Sequence, residues 1–330
     1  MLVFVLYLLM NQNLSIRAID IIDENKICFA ANNGVFGYSD DAGKTWYLDT
    51  IRIQNYVPQF RSIEALNDST ILILSIDSPA YLLKTNNKGR DWKVVYQSHD
   101  NGVFFDAMKA KSENEIWAVG DPINEHPNLI YSLDNGDTWI KYEEKYLPKT
   151  VNNEAFFAAS NSNIAFIKDE LLLVSGGHSS NMFSINIQNK TYLKRSLPFK
   201  ISGNMTGAYS IDVFDKNNFI VAGGNYDNND KEFVAFYFTK NGGKRFESIN
   251  YEENFFGSCV KYLNKNELYI TGHRGTYYIN LKTKKVIEIK DRNGEKLNFH
   301  TLRITANKSK LILAGANGRI ASIDLSNLKY

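Results

Sequence analysis

The chain is predicted to be all-β, a seven-bladed β-propeller of four-stranded antiparallel blades, and three observations carry that expectation. One eight-residue turn pattern recurs four times. A strand pattern ending in small residues recurs seven times, at spacings of 43 to 52 residues. The 3.6-residue apolar period of a helix is absent, and the six prolines leave the strand runs largely uninterrupted.

The turn pattern reads S/T-x-D/N-x-G-x-x-W/F. Full copies run from Ser39 to Trp46, with Asp41 and Gly43, and from Ser132 to Trp139, with Asp134 and Gly136. Weaker copies run from Thr85 to Trp92, with Asn87 and Gly89, and from Thr239 to Phe246, with Asn241 and Gly243. Such a segment suits a hairpin. The Asp or Asn side chain accepts from backbone N–H groups of its own loop. Glycine supplies a positive φ at low cost. The closing aromatic opens the next strand and buries its ring between neighbouring sheets.

The seven units open near Arg17, Arg61, Phe105, Phe157, Tyr209, Ser258 and Thr301, and each has the length of one four-stranded blade. A chain of 330 residues would by length suggest two domains. Radial repetition removes that need, so residues 15–330 read as a single propeller. The seventh unit stops one strand short, which would leave a bare sheet edge. Residues 1–14 therefore read either as a signal-like segment or as the source of the missing strand. Met1–Met10 has the length of a secretory apolar region, yet no Lys or Arg precedes it and no small-residue cleavage site follows. It is too short to span a bilayer as a helix. The ring-closing strand, Val5 to Leu9, is the preferred reading.

The formal net charge is +2, from 38 basic and 36 acidic residues with no dominant charge block, so neither nucleic acid nor an anionic membrane is expected as a partner. Cys28 and Cys259 fall in blades one and six, too far apart to bond. The five histidines, His99, His126, His178, His273 and His300, show no HxxxH or HxH spacing, and no metal is expected. The loop Asn225 to Asp230 is acidic but lacks the glycine turn and distal Glu of an EF-hand loop. No dinucleotide, Walker, haem or iron–sulfur pattern occurs, so no cofactor is expected.

Propeller topology brings the loop entering each inner strand, and the loop between strands two and three, to one face. The expected ligand-binding residues at the mouth of the channel are Arg17, Arg61, Asp106, Asp121, His178, Tyr209, Tyr226, His300 and Arg319. Ser258, Asp77, His273 and Arg274 lie on the same face. Paired arginines on rigid strands suit two-point recognition of a carboxylate or phosphate. In the alternative, Arg17 and Arg61 pair with Asp106, Asp121 or Asp77 and tie blades together.

At these residues the sequence resembles the Asp-box (BNR) propellers, and within them the photosystem II assembly-factor-like group and its secreted bacterial relatives. The matching stretches include Ser15 to Ala18, Phe60 to Ile63, Phe104 to Asp106, Gly120 to Ile123, Ala155 to Ser160, Ser258 to Val260 and Asn317 to Ile320. The resemblance covers nearly the whole chain. It implies a non-enzymatic binding or assembly scaffold that meets a protein or glycan partner on the upper face, as an extracytoplasmic monomer. The rival Asp-box class is the sialidase-type glycoside hydrolase, with an arginine clamp on a carboxylate, a tyrosine nucleophile and an aspartate acid. Arg17, Arg61 and Arg319 would form the clamp, Tyr209 or Tyr226 the nucleophile, and Asp77 or Asp106 the acid. Against it, Phe60-Arg61-Ser62-Ile63 only echoes the F/Y-R-I-P start motif, with Ser in place of Ile and Ile in place of Pro.

Overall fold

A computed structural model describes residues 1–9, 13–227, 233–252 and 254–328. The described chain is almost wholly β, with two single-turn 3₁₀ segments, Glu144–Tyr146 and Leu325–Asn327. No described helix is long and apolar enough to cross a membrane.

Seven antiparallel blades form a ring. Blade 1 comprises Ile16–Ile21, Ile27–Ala31, Val35–Ser39 and Tyr47–Thr50, from the axis outward. Blade 2 comprises Phe60–Ala65, Ile71–Ser75, Ala80–Thr85 and Lys93–Ser98. Blade 3 comprises Phe105–Ala110, Ile116–Ile123, His126–Ser132 and Ile140–Lys141. Blade 4 comprises Ile164–Ile167, Glu170–Val174, Asn181–Asn186 and Thr191–Ser196. Blade 5 has Thr206–Val213, Phe219–Asn225 and Phe236–Thr239, its fourth strand reduced to a bridge between Phe238 and Glu247. Blade 6 comprises Cys259–Asn264, Glu267–Gly272, Gly275–Asn280 and Lys285–Asp291. Blade 7 supplies Thr301–Ile304, Lys310–Ala314 and Ile320–Asp324.

The ring closes as expected. Leu6–Leu9 pairs antiparallel with Ile320–Asp324 and completes blade 7. The same segment does a second job that the sequence did not announce. Leu2–Val3 runs parallel to Lys285–Asp291 and adds a fifth strand to blade 6. The amino terminus donates to the Glu288 carbonyl at 2.8 Å, and Val3 is buried against Tyr278 and Ile289. Nine residues thus staple two blades.

Seven apolar clusters hold the ring, one at each blade–blade interface. Between blades 1 and 2, for example, Cys28, Phe36 and Tyr38 meet Phe60, Ile63 and Ile73. Corresponding clusters fill the remaining six interfaces. Each blade is therefore stable only against its neighbours. Truncating a wholly buried ring such as Phe36 to alanine costs about 3–5 kcal/mol. Cys28 and Cys259 are both free and buried.

The four recurrent turns share one hydrogen-bond pattern. In the first, the Ser39 hydroxyl donates to Asp41 Oδ1 at 2.9 Å and accepts the Gly43 N–H at 2.8 Å, and Asp41 Oδ1 accepts the Thr45 N–H at 2.9 Å. Ser132 and Asp134, Thr85 and Asn87, and Thr239 and Asn241 repeat it. The four turn glycines have positive φ, and Gly89, Gly136 and Gly243 leave no room for a Cβ against the preceding blade. A Cβ on Gly89 would stand 2.2 Å from the Phe36 ring, and one on Gly136 would stand 2.8 Å from Leu72. The aromatics complete the joint: Trp46 packs on Phe29, Trp92 meets Phe36 edge-on, Trp139 joins the blade 2–3 cluster and Phe246 packs on Phe219.

Candidate functional site

The inner strands of blades 1, 2, 3 and 5 carry the same irregularity at their upper ends. Ile16 pairs with Ala31 and Ala18 with Ala30, so Arg17 is an extra residue. Arg61, Asp106 and Tyr209 are extra in the same way. A β-bulge re-aims the inserted side chain. Here Arg17, Arg61 and Tyr209 come to line one space, while Asp106 is buried away from it.

What fills the axis is a segment of the chain itself. The sequence places a unit opening at Phe157, but the inner strand of blade 4 begins only at Ile164. Phe157–Asn163 instead crosses the channel and bonds to every other blade. Asn161 accepts from Met108 N–H at 2.8 Å and donates to Ile63 O at 2.7 Å. The Ser160 hydroxyl reaches Ser258 O at 2.6 Å, and its carbonyl accepts from Thr301 Oγ1 at 3.1 Å. Ser162 meets the Ser210 hydroxyl at 2.7 Å, and its carbonyl accepts the Ile211 N–H at 2.7 Å. Arg17 and Arg61 donate to the carbonyls of Ala159 and Ala158 at 3.3 and 3.5 Å. Ser160–Asn163 is a polar run in a buried place, and these bonds are what make that burial tolerable.

Above this plug lies a cup of about 170 Å³, walled by Arg17, Arg61, Phe157, Tyr209, Tyr226, Ser258, His273 and His300. Phe157 stacks on Tyr209 with ring centres 3.8 Å apart. Tyr209 and Tyr226 meet Phe256, and Tyr226 meets His273 at 4.5 Å. Among the described residues no Asp or Glu lines the cup, and no carboxylate is ion-paired with Arg17 or Arg61. Burial, then repulsion by Arg17, lowers the pKa of the Arg61 guanidinium, and attraction from Asp106 and Asp77 offsets this only in part. Burial pushes His300 down to about 3, with Arg17, His273, Arg61 and Arg319 adding to the shift. Burial and Arg274 push His273 down to about 4. At neutral pH both imidazoles are uncharged acceptors or donors beside two guanidinium groups.

The other expected site residues are placed as follows. Asp106 is wholly buried and does not line the cup, with the Ala158 backbone N–H as a weak polar neighbour. Burial and then Asp121 hold its pKa well above the carboxylate range. Asp121 is half-buried, accepts the Phe156 N–H at 2.7 Å and is raised by burial to about 6. His178 is exposed beside Asn153. Arg319 donates to Asn298 O at 2.7 Å and lies over the Phe299 ring. Tyr209 donates to Met205 O at 3.1 Å. Arg274 donates to the carbonyls of Asn225 and Tyr226 at 3.1 and 2.8 Å. Asp77 is exposed. Of the acidic loop, Asn228, Asn229 and Asp230 lie outside the described residues.

Sequence reasoning named seven of the cup's residues but missed Phe157 as a wall and Ser160–Asn163 as the floor. The signal was present in the polar stretch Ser-Asn-Ser-Asn, where the other units have an apolar inner strand.

The fold defines a seven-bladed β-propeller with a blocked axis and a cationic, aromatic-walled cup. No protein-family model matches the sequence, and no curated protein matches it. Solved structures match it in fold. YCF48 from Cyanidioschyzon merolae shares 12% identity over 98% of this chain and 100% of that chain, with a TM-score of 0.72. YCF48 bound to D1 peptide shares 13% identity over 97% of this chain and 96% of that chain, with a TM-score of 0.66. U3-55K shares 11% identity over 98% of both chains, with a TM-score of 0.67.

Proposed function

We propose that this chain is a non-enzymatic binding propeller that recognises a protein segment at its upper axial cup, with Arg17 and Arg61 holding a carboxylate of the partner. The observation that carries this reading is the convergence on one aromatic-walled space of two guanidinium groups that have no ion-paired carboxylate among the described residues. Such an arrangement is preorganised for a planar anion flanked by apolar chain. A propeller of the same fold bound to D1 peptide supports a peptide as the ligand class. The recurrent turns and their shared hydrogen bonds support the kinship with Asp-box propellers.

The hydrolase reading asks for a third arginine and an acid at the same space. Arg319 is engaged with Asn298 and Phe299, and the tyrosine hydroxyl of Tyr209 is engaged with Met205. Burial raises the pKa of Tyr209 far above its ordinary value, which opposes a nucleophilic role.

The test is a peptide array in which each sequence is displayed both with a free carboxylate and as the amide, probed with wild type and with an Arg17→Ala/Arg61→Ala variant. Binding that needs the carboxylate and both arginines is expected. Binding undiminished in the double variant would move the site elsewhere.

A further inference from the structure

The cup holds more latent positive charge than its two arginines show. His273 comes from the loop after the second strand of blade 6, and His300 from the start of the inner strand of blade 7. Both line the same 170 Å³ space as Arg17 and Arg61. The Nδ1 atom of His273 is buried and has no hydrogen-bond partner, although the ring is boxed by Tyr226 and Phe256 at 4.5 and 5.1 Å. Among the described residues that nitrogen has no protein hydrogen bond to give up when the ring gains a proton.

We propose that the cup takes up its anion together with a proton, His273 and His300 gaining charge as an oxyanion settles between Arg17 and Arg61. The inference rests on the reading of the cup as an anion site and adds its regulation.

The charges that face the two imidazoles are mostly of one sign. Arg17 of blade 1, Arg61 of blade 2 and Arg319 of blade 7 face His300. Arg274 and Arg17 face His273, opposed by Asp227 at the exposed rim of blade 5. Tyr209 and Tyr226 stand beside them, and Asp106 of blade 3, pushed above the carboxylate range by burial, acts on Arg61 from outside the cup. With the cup empty, this field and burial keep the rings unprotonated down to about 4 and about 3. An anion cancels part of the arginine field, so each ring binds its proton at higher pH in the complex than in the free protein. The complex then holds more protons, and linkage requires affinity to rise as pH falls through the complexed values. One pKa unit gained at one ring corresponds to a tenfold gain in affinity once the pH is below both values.

The experiment uses methanesulfonate, an oxyanion of the right size that does not itself titrate between pH 4.5 and 8. Its affinity for the whole chain is measured across that range, with far-ultraviolet circular dichroism confirming the fold at each pH. A one-unit rise at each ring, from about 4 and about 3, makes wild type bind about fourfold more tightly at pH 4.5 than at pH 8. A His273→Gln/His300→Gln variant is expected to bind with a flat profile. A flat wild-type profile, or a wild-type slope in the double variant, overturns proton coupling while leaving the cup as an anion site. No binding at any pH overturns both. A second readout is independent of affinity: calorimetry at pH 5 in buffers of different ionisation enthalpy should show net proton uptake on binding, and zero uptake contradicts the proposal.

Discussion

Asn161 accepts the Met108 backbone N–H at 2.8 Å across the axial channel, so one carboxamide of the blade 4 segment is pinned to blade 3. Its amide group donates at the same time to Ile63 of blade 2. Asn161→Ala would leave a buried donor and a buried acceptor without partners. It is expected to lower stability by about 2–4 kcal/mol in urea unfolding. A change below about 0.5 kcal/mol would show that the plug is not held as described.

Closure by the N-terminal strap gives a second expectation. Deleting residues 1–9 strips an outer strand from blade 7 and the added strand from blade 6. Stability should fall by on the order of 5 kcal/mol, the burial of a few apolar side chains. The bare edges should promote aggregation, visible by size-exclusion chromatography. A deletion variant that unfolds and elutes like wild type would contradict the closure.

The recurrent turns make acid stability depend on two aspartates. Hydrogen bonds from Thr45 hold Asp41 down at about 2, and those from Thr138 hold Asp134 at about 2. A carboxylate lowered in the folded state contributes stability present above its ordinary value near 3.8, and that stability is lost as pH falls toward 2. Asn87 and Asn241 occupy the same place in the other two turns without titrating. An Asp41→Asn/Asp134→Asn variant should therefore show a shallower fall in melting temperature between pH 4 and pH 2 than wild type. An unchanged slope would assign the acid sensitivity to other groups.

Asp106 works in the opposite sense. Burial raises its pKa in the folded state, so the native protein binds a proton that the unfolded chain releases above its ordinary carboxylate value. Stability is then greatest at low pH and declines as pH rises through and beyond that value. Asp106→Asn keeps the shape and cannot ionise. It should stabilise the protein at pH 8 and leave it nearly unchanged at pH 4. Destabilisation at pH 8 would mean that the native carboxylate is ionised and paired.

Much of the fold was legible because its determinants are local and repeated. The spacing of Asp41, Gly43 and Trp46 specifies a turn, and its recurrence specifies a ring. Arg17, Arg61 and Tyr209 were legible as neighbours at the upper mouth because they open equivalent strands. The bulges that aim them were not, since a bulge is a property of two strands and shows in neither alone. The parallel strand Leu2–Val3 was hidden for a similar reason: two residues carry no periodicity. The floor of the cup was misplaced because Ala155 to Ser160 reads locally like another strand opening, while its long-range partners Ser258, Thr301 and Ile63 decide its path.

The central claim is that the cup recognises a partner and performs no chemistry on it. Hydrolysis of a fluorogenic glycoside panel, sialosides included, by folded wild type beside Arg61→Ala tests it most directly. The account expects no turnover above buffer from either protein. Turnover by wild type that disappears in Arg61→Ala would make the cup a carboxylate-clamping active site and contradict the account.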